Sequence, residues 1–480
     1  MRNWKFTLSD SAALVDADQG QTVTYAEMPG ALCRTARRLA RWQTGAPHFL
    51  LARNCMDHAL TILSAFQENI PLALVDPELA PEQLTELIGI YKPASLIGDQ
   101  SFLDTYTLPG YSRNTKDEAG LCQLVRDADK PIPTTHPDLA CLLSTSGSTG
   151  APKFVRLSST NLISNARAIA EVLEIGPGVV SLGHLKFHYS FGLSVLTSHL
   201  LAGGTVVLTG ATIAERGFWE AMSKYEVAVL PCVPFHCEYI CRLGLKRLRL
   251  EHFKTIIQAG GACRQDIMTG LDTQLQERDG RFFVMYGQTE ASPRMTTLPA
   301  QELAAHPGSV GSALPGGRIE IQDTDGRRLP CGQTGEVVYF GPNVMMGYAS
   351  SADDLKLGNI TGGCLRTGDL GFLSDEGYLT VTGRAARFAK VYGNRVSLHD
   401  VEKIAAARFN QECVAVEGTD QIRIFIERSG GGAADEVLAE AELALCRELR
   451  LPNGSVKVHR IDGLPRKTNG KPDYVKLTSF

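Results

Sequence analysis

No run of basic residues and no long acidic or basic tail marks this chain. Lys and Arg number 48 against 52 Asp and Glu, for a net charge of −4. That balance leaves no electrostatic footprint for a nucleic-acid backbone, and no nucleic-acid partner is expected. The twelve cysteines show no framework spacing, and Met1 to Asp16 holds a Lys and an Arg but no continuous apolar run. A secreted disulfide scaffold is therefore not expected. A reducing cytoplasm with free thiols is. Internal repeats are lacking, and so is low complexity beyond Gly430-Gly431-Gly432. Charge itself is missing from Phe187 to Ile213, a stretch long enough to span a bilayer. However, His188, His199, several Ser and Thr, and Gly203-Gly204 interrupt it. The expectation is a buried helix followed by a buried strand, Thr205 to Leu208, with no membrane partner.

What is present is ample for a folded enzyme. At 480 residues, with 44% hydrophobic and 21% charged residues, the chain exceeds what one core usually serves, so at least two domains are expected. Up to about residue 384, apolar runs such as Phe49 to Leu51, Ala140 to Leu143 and Val227 to Leu230 alternate with amphipathic stretches such as Asp57 to Gln67 and Ser159 to Val172. This is the pattern of α/β layers with buried sheets. From Gly308 the pattern turns to short strands: Arg318 to Gln322, a turn at Asp325-Gly326, then Gly335 to Phe340. Residues 385–480 read as a separate small α+β domain, with a helix over Ser397 to Ala407. Strands follow at Cys413 to Glu417 and Gln421 to Glu427, then a helix from Asp435 to Leu449 with Asp435 as cap, and a last strand at Val456 to Ile461.

The motif richest in chemistry is Thr145-Ser146-Gly147-Ser148-Thr149-Gly150-Ala151-Pro152-Lys153, directly after the apolar run Leu139 to Leu143. Two glycines let backbone N–H groups converge on an anion, and four hydroxyls and one ammonium add donors, as a polyphosphate requires. A Ser- and Gly-rich surface turn is the bland alternative, and the ordered Gly-Ser-Thr-Gly-x-x-Lys after a buried strand argues against it. No Gly-Lys-Ser or Gly-Lys-Thr closes the loop, so it is not the P-loop of kinases and GTPases. The segment resembles the phosphate loop of the adenylate-forming superfamily: acyl-CoA synthetases, peptide-synthetase adenylation domains and luciferases. Further matches follow in that family's order. They are Thr22 to Met28, Tyr286-Gly287-Gln288-Thr289-Glu290, Gly335-Glu336 through Gly347-Tyr348, Arg366 to Asp369, Gly383-Arg384, and Asn469-Gly470-Lys471.

The resemblance implies roles residue by residue. ATP would be held by Thr145 to Gly150 with Lys153, by the adenine-side loop Ala259-Gly260-Gly261-Ala262, and by Tyr286 and Gly287 beneath the base. Asp369 would accept both ribose hydroxyls, and Arg384 would touch ribose or phosphate. Thr289 would donate to the α-phosphate. Glu290 would supply a hard oxygen to Mg²⁺, and Lys471 would bridge the attacking carboxylate and the α-phosphate. The implied reaction forms an acyl-adenylate and releases pyrophosphate. The acyl group then passes to a thiol, either CoA or the phosphopantetheine of a carrier protein. Delivery to an amine, or a silent nucleotide-binding homologue, are the alternatives.

Two departures matter. The hinge position two residues after Gly383-Arg384, often Asp or Lys in relatives, is Ala386 here, with Arg387 and Lys390 following, while Gly393 and Asn394 match a loop used in the second half-reaction. In the pocket segment, amino-acid activators carry an Asp after the equivalent of Phe187, and here that residue is His188. An α-ammonium group would lack its counter-charge. His188, Tyr189, Phe191, Gly192, Pro234, Phe235 and Gly261 suggest a pocket for an apolar or aryl acid. Cys232, Cys237 and Cys241 with His236 lack zinc-pair spacing, and a buried apolar helix face is expected there.

Overall fold

The computed structural model describes residues 4–39, 45–100, 108–114, 121–144, 153–384, 388–391, 394–418, 421–428, 435–449, 451–466 and 472–480. It divides into two compact units. One comprises residues 1–319 and 339–365, the other 320–338 and 366–480. This division by compactness and the functional boundary expected at 384/385 are different cuts of the chain.

The first unit is an α/β structure built on two large sheets, whose central strands are buried on both faces and therefore nearly continuously apolar. In one sheet the parallel strands Ala12–Asp16, Thr205–Leu208, Val180–Gly183, Val229–Cys232, Thr255–Gln258 and Arg281–Gly287 lie side by side in that order. Antiparallel Gln21–Thr24 closes one edge, and Arg294–Leu298 followed by Ser312–Ala313 the other. The second sheet has four parallel strands, Leu139–Ser144, Leu72–Val75, His48–Leu51 and Ser95–Asp99. Antiparallel strands flank them, with Phe154–Ser158 and Gly347–Ala349 on one side and Leu121–Arg126 and Tyr111–Arg113 on the other.

The uncharged stretch from Phe187 resolves as the sequence predicts. A helix, Ser190–Ala202, is buried throughout Gly192 to Leu200, as an all-round apolar helix must be. Gly203 ends it in the left-handed conformation at φ 85°, and Thr205–Leu208 follows as an interior strand. Among the described residues no helix is long and apolar enough to cross a membrane. Helix Ser159–Val172 begins in a reciprocal cap. The Ser158 hydroxyl accepts from the Asn161 N–H (3.1 Å), and the Asn161 carbonyl oxygen accepts from the Ser158 N–H (2.8 Å). The Asn161 amide also donates to the carbonyls of Pro342 and Val344, both at 2.7 Å, tying the helix start to the segment that leads to Tyr348.

Most residues of a four-stranded sheet ordered Arg318–Gln322, Gly335–Phe340, Cys364–Leu373 and Leu379–Arg384 fall in the second unit. Beyond it lie the hairpin Phe388–Val391 with Asn394–Ser397 and a three-stranded sheet of Cys413–Gly418, Gln421–Glu427 and Val456–Ile461. Helices Leu398–Phe409 and Asp435–Glu448 cover a core of Val401, Ala405, Ile424, Leu445 and Val456. The expected small α+β arrangement is present, with element ends within two residues of those read from the sequence. Gly430 to Gly432, Ala386, Arg387 and Gly393 lie outside the described residues.

Candidate active site

Four neighbouring parallel strands of the first sheet, Val180–Gly183, Val229–Cys232, Thr255–Gln258 and Arg281–Gly287, end on the same side. The segments that leave those ends carry the residues singled out from the sequence: Phe187 to Gly192, Val233-Pro234, Ala259 to Ala262, and Tyr286 to Glu290. Carboxyl ends of parallel strands are where open α/β sheets bind ligands, because loops there converge while the sheet stays rigid. The convergence is close. Gly260 has φ 86°, and a methyl group on it would lie 3.3 Å from Val233 and 3.9 Å from the Phe191 ring. One on Gly261 would lie 3.2 Å from Pro234. The Gln258 amide donates to the Gly261 carbonyl at 2.8 Å, holding the loop. Phe191, Pro234 and Gly261 therefore form one wall, whereas Phe235 is exposed.

The Tyr286 to Glu290 signature is braced from beneath. Tyr286 packs beside Ala291, Met295 and Tyr339. Gly287 is irreplaceable on steric grounds, since a Cβ there would stand 1.9 Å from the Pro293 carbonyl oxygen. The Thr289 hydroxyl lies 3.1 Å from that of Ser190. Glu290 accepts a hydrogen bond from the Tyr348 hydroxyl at 2.7 Å, and the Lys153 ammonium sits 3.9 Å from the centre of the Tyr348 ring. The phosphate-loop lysine and the proposed metal carboxylate are thus joined through one tyrosine. Tyr348 was noted in the sequence only as the end of a structural motif. Its role depends on the pairing of Tyr348 with Val155 across antiparallel strands, which no local pattern announces. Thr145 to Gly150 lie outside the described residues. They connect strands Leu139–Ser144 and Phe154–Ser158, which pair antiparallel with Ser144 opposite Phe154.

His188 is buried, with Nε2 3.5 Å from the Asp76 carboxylate and its ring 4.4 Å from that of Tyr189. Burial lowers its pKa despite the opposing pull of Asp76. Asn54 positions the preceding loop. Its amide donates to the carbonyls of Gly183 and Leu185, both at 2.8 Å, and its oxygen accepts from the Phe187 N–H. Gly192 contributes close packing rather than open space, because a Cβ there would stand 2.2 Å from the Leu185 carbonyl oxygen.

Sequence reasoning missed Arg294 altogether. It lies opposite Gly287 across paired strands, is 2% exposed, and has its guanidinium 4.6 Å from the centre of the Phe191 ring. Burial pulls it down to about 9.

In the second unit, antiparallel pairing sets Asp369 opposite Arg384. The Arg384 Nε donates to the buried Asp369 carboxylate at 2.8 Å. Gly368 precedes it at φ 70°, a conformation that costs glycine little. Lys471 lies outside the described residues.

A family model described as AMP-binding enzyme matches residues 2–349. The sulfoacetate–CoA ligase of Cupriavidus necator is 27% identical over 373 residues, 73% of this chain and 69% of that protein. Among solved structures, o-succinylbenzoate coenzyme A synthetase from Bacillus subtilis in complex with ATP and magnesium ion superposes with TM-score 0.78. It is 23% identical, with 98% of this chain and 97% of that one covered. An amide bond synthetase from Marinactinospora thermotolerans gives the same TM-score, identity and coverage. The fold is theirs, and the chain belongs to the AMP-binding, adenylate-forming enzyme family.

Proposed function

We propose that this enzyme activates a carboxylic acid lacking an α-ammonium group. The acid attacks the α-phosphorus of ATP, the bond to pyrophosphate breaks, and the acyl-adenylate then passes its acyl group to the thiol of CoA or of a carrier-protein phosphopantetheine. The observation that carries this reading is the junction of Lys153, Tyr348 and Glu290, in the same unit as the Ser190–Thr289 hydroxyl pair. It offers a cation, a hard anionic ligand and hydroxyl donors, which is the donor set a magnesium polyphosphate needs. Glu290 is the residue that would hold Mg²⁺, which when bound supplies positive charge to the phosphates. Its carboxylate fits that task because it is oriented by Tyr348 and has no basic side chain as an ion-pair partner among the described contacts. Lys153 steadies the β- and γ-phosphates, and Thr289 orients the α-phosphate. Asp369 binds ribose, and Lys471 in the small domain of residues 385–480 offsets the repulsion between the two reacting anions. The Cupriavidus relative is a CoA ligase by name, which favours a thiol acceptor over an amine.

The test is pyrophosphate release across aryl, fatty and α-amino acids, run alone, with CoA, with a holo carrier protein and with amines. ATP-dependent pyrophosphate release with non-amino acids, followed by thioester formation, is expected. No release with any acid would overturn the reading, and transfer to amines only would overturn the thiol step.

A further inference from the structure

Among the described residues two arginines are fully buried, and the fold treats them differently. Arg156 is satisfied by backbone. Its guanidinium donates to the carbonyls of Met346, Tyr348, Leu357 and Gly358. Arg294 receives nothing comparable. One nitrogen lies 3.0 Å from the Met285 sulfur, the Phe191 ring covers the group, and Nε is buried without a hydrogen-bond partner. Burial acts on its titration with no carboxylate opposing it. A buried charge held only by soft, neutral neighbours is costly, and such a cost persists where an anion arrives later.

The backbone of Arg294 is nevertheless clamped. Its N–H donates to the Asn165 oxygen at 3.2 Å, and its carbonyl accepts from the amides of Asn165 (2.7 Å) and Asn343 (3.2 Å). Of its side-chain neighbours, Phe191 borders Gly260 at the strand ends, whereas Met285 belongs to the buried core beside the sheet. His199 adds no anion, since its Nδ1 lies 2.9 Å from the Val195 carbonyl and its Nε2 is buried without a partner. The guanidinium is therefore a cation set behind Phe191, with no counter-charge among the described residues.

We propose that Arg294 determines acyl specificity by binding a second anionic group, a carboxylate carried by the substrate at the end remote from the reacting one. This inference rests on the acid-activation reading above and narrows its substrate class. The middle of such a diacid lies against Phe191 and Pro234, so the apolar surroundings and the charge serve different parts of one molecule. The planar fork of a guanidinium suits a carboxylate.

The experiment measures kcat/KM for pyrophosphate release with matched acids: adipate, its monomethyl ester and hexanoate, and likewise glutarate and pentanoate. Wild-type enzyme is expected to favour the diacid at least tenfold over both the ester and the monoacid. Arg294→Gln is expected to lower the diacid-to-monoacid ratio at least tenfold, chiefly through KM for the diacid, and Arg294→Lys to restore part of it. Wild-type enzyme that turns over monoacids as well as or better than diacids overturns this proposal alone, whether or not the variants fold. So does a folded Arg294→Gln enzyme that keeps the wild-type ratio. No pyrophosphate from any acid overturns the acid-activation reading itself.

Discussion

Tyr348 acts at both of its ends. Its ring lies beneath the Lys153 ammonium and its hydroxyl holds Glu290. Glu290→Gln is expected to raise the magnesium concentration giving half-maximal pyrophosphate release by about tenfold or more, because a neutral amide is a poorer ligand for a hard cation. Tyr348→Phe keeps the ring and loses only the hydrogen bond to the carboxylate, so a severalfold rise is expected. An unchanged magnesium dependence in the phenylalanine variant would show that the hydroxyl does not position Glu290. His188 answers a different question. The sequence places it where amino-acid activators carry Asp, which suggests His188→Asp as a way to admit an amine. The structure sets Asp76 against that position, so the variant would bury two facing carboxylates. A fall in Tm that Asp76→Asn largely reverses is expected. A stable His188→Asp single variant would argue that the new side chain points elsewhere.

The helix Ser190–Ala202 connects the pocket to the core. Its first turn carries Phe191 and sits so close to the preceding loop that only glycine fits at 192. Gly192→Ala must displace either the helix or the Leu185–Lys186 backbone, since a Cβ meets both carbonyl oxygens within 2.4 Å. The expected result is a loss of about 1–3 kcal/mol of stability together with a raised KM for the acid, read by thermal unfolding and pyrophosphate release. Wild-type values for both would mean that the loop yields freely. At this scale the sequence was highly legible. Amphipathic periodicity placed Ser159–Val172 with both ends as found, and the structure adds that Ser158 and Asn161 satisfy the helix start locally. The supports of the site were not legible. Asn54 reaches carbonyls 129 and 131 residues away, and nothing in its own neighbourhood distinguishes it from a loop asparagine.

For the molecule as a whole, buried histidines tie stability to pH. Burial lowers His199 and His236 to about 4 and His184 well below its ordinary value, where the neighbouring His236 adds to the effect. At His199 and His236 the unfolded chain takes up a proton near pH 6.5, and the folded chain does not until near pH 4. Stability is therefore full above pH 6.5 and lost as pH falls toward 4, by about 1–2 kcal/mol for each of these two histidines at pH 5, and His184 adds a loss in the same direction. Chemical denaturation at pH 7.5 and pH 5 measures this, and equal unfolding free energies would contradict it. Lys471→Ala tests the role proposed for the C-terminal lysine. Adenylate formation is expected to fall about a hundredfold or more, the scale of losing one well-placed electrostatic group, with Tm unchanged. Near wild-type adenylation would remove Lys471 from the first half-reaction.

What the sequence determined by itself was the α/β architecture and the family, and it supplied the candidates proposed for the nucleotide side. Those features are written in short-range order: apolar runs of strand length, glycines where loops must turn, and motifs whose donors stand next to one another in the chain. Only the tertiary structure shows what surrounds the residues proposed for the substrate side. Whether His188 meets an acid or Asp76, whether Tyr348 touches Glu290, and whether Arg294 lies in solvent or buried behind Phe191 depend on segments brought together over long separations, which in this fold exceed 200 residues, as Arg156 to Gly358 spans 202. A charge read along the chain looks solvated. Only packing shows that this one is buried without a counter-charge, and that is what gives it a chemical task.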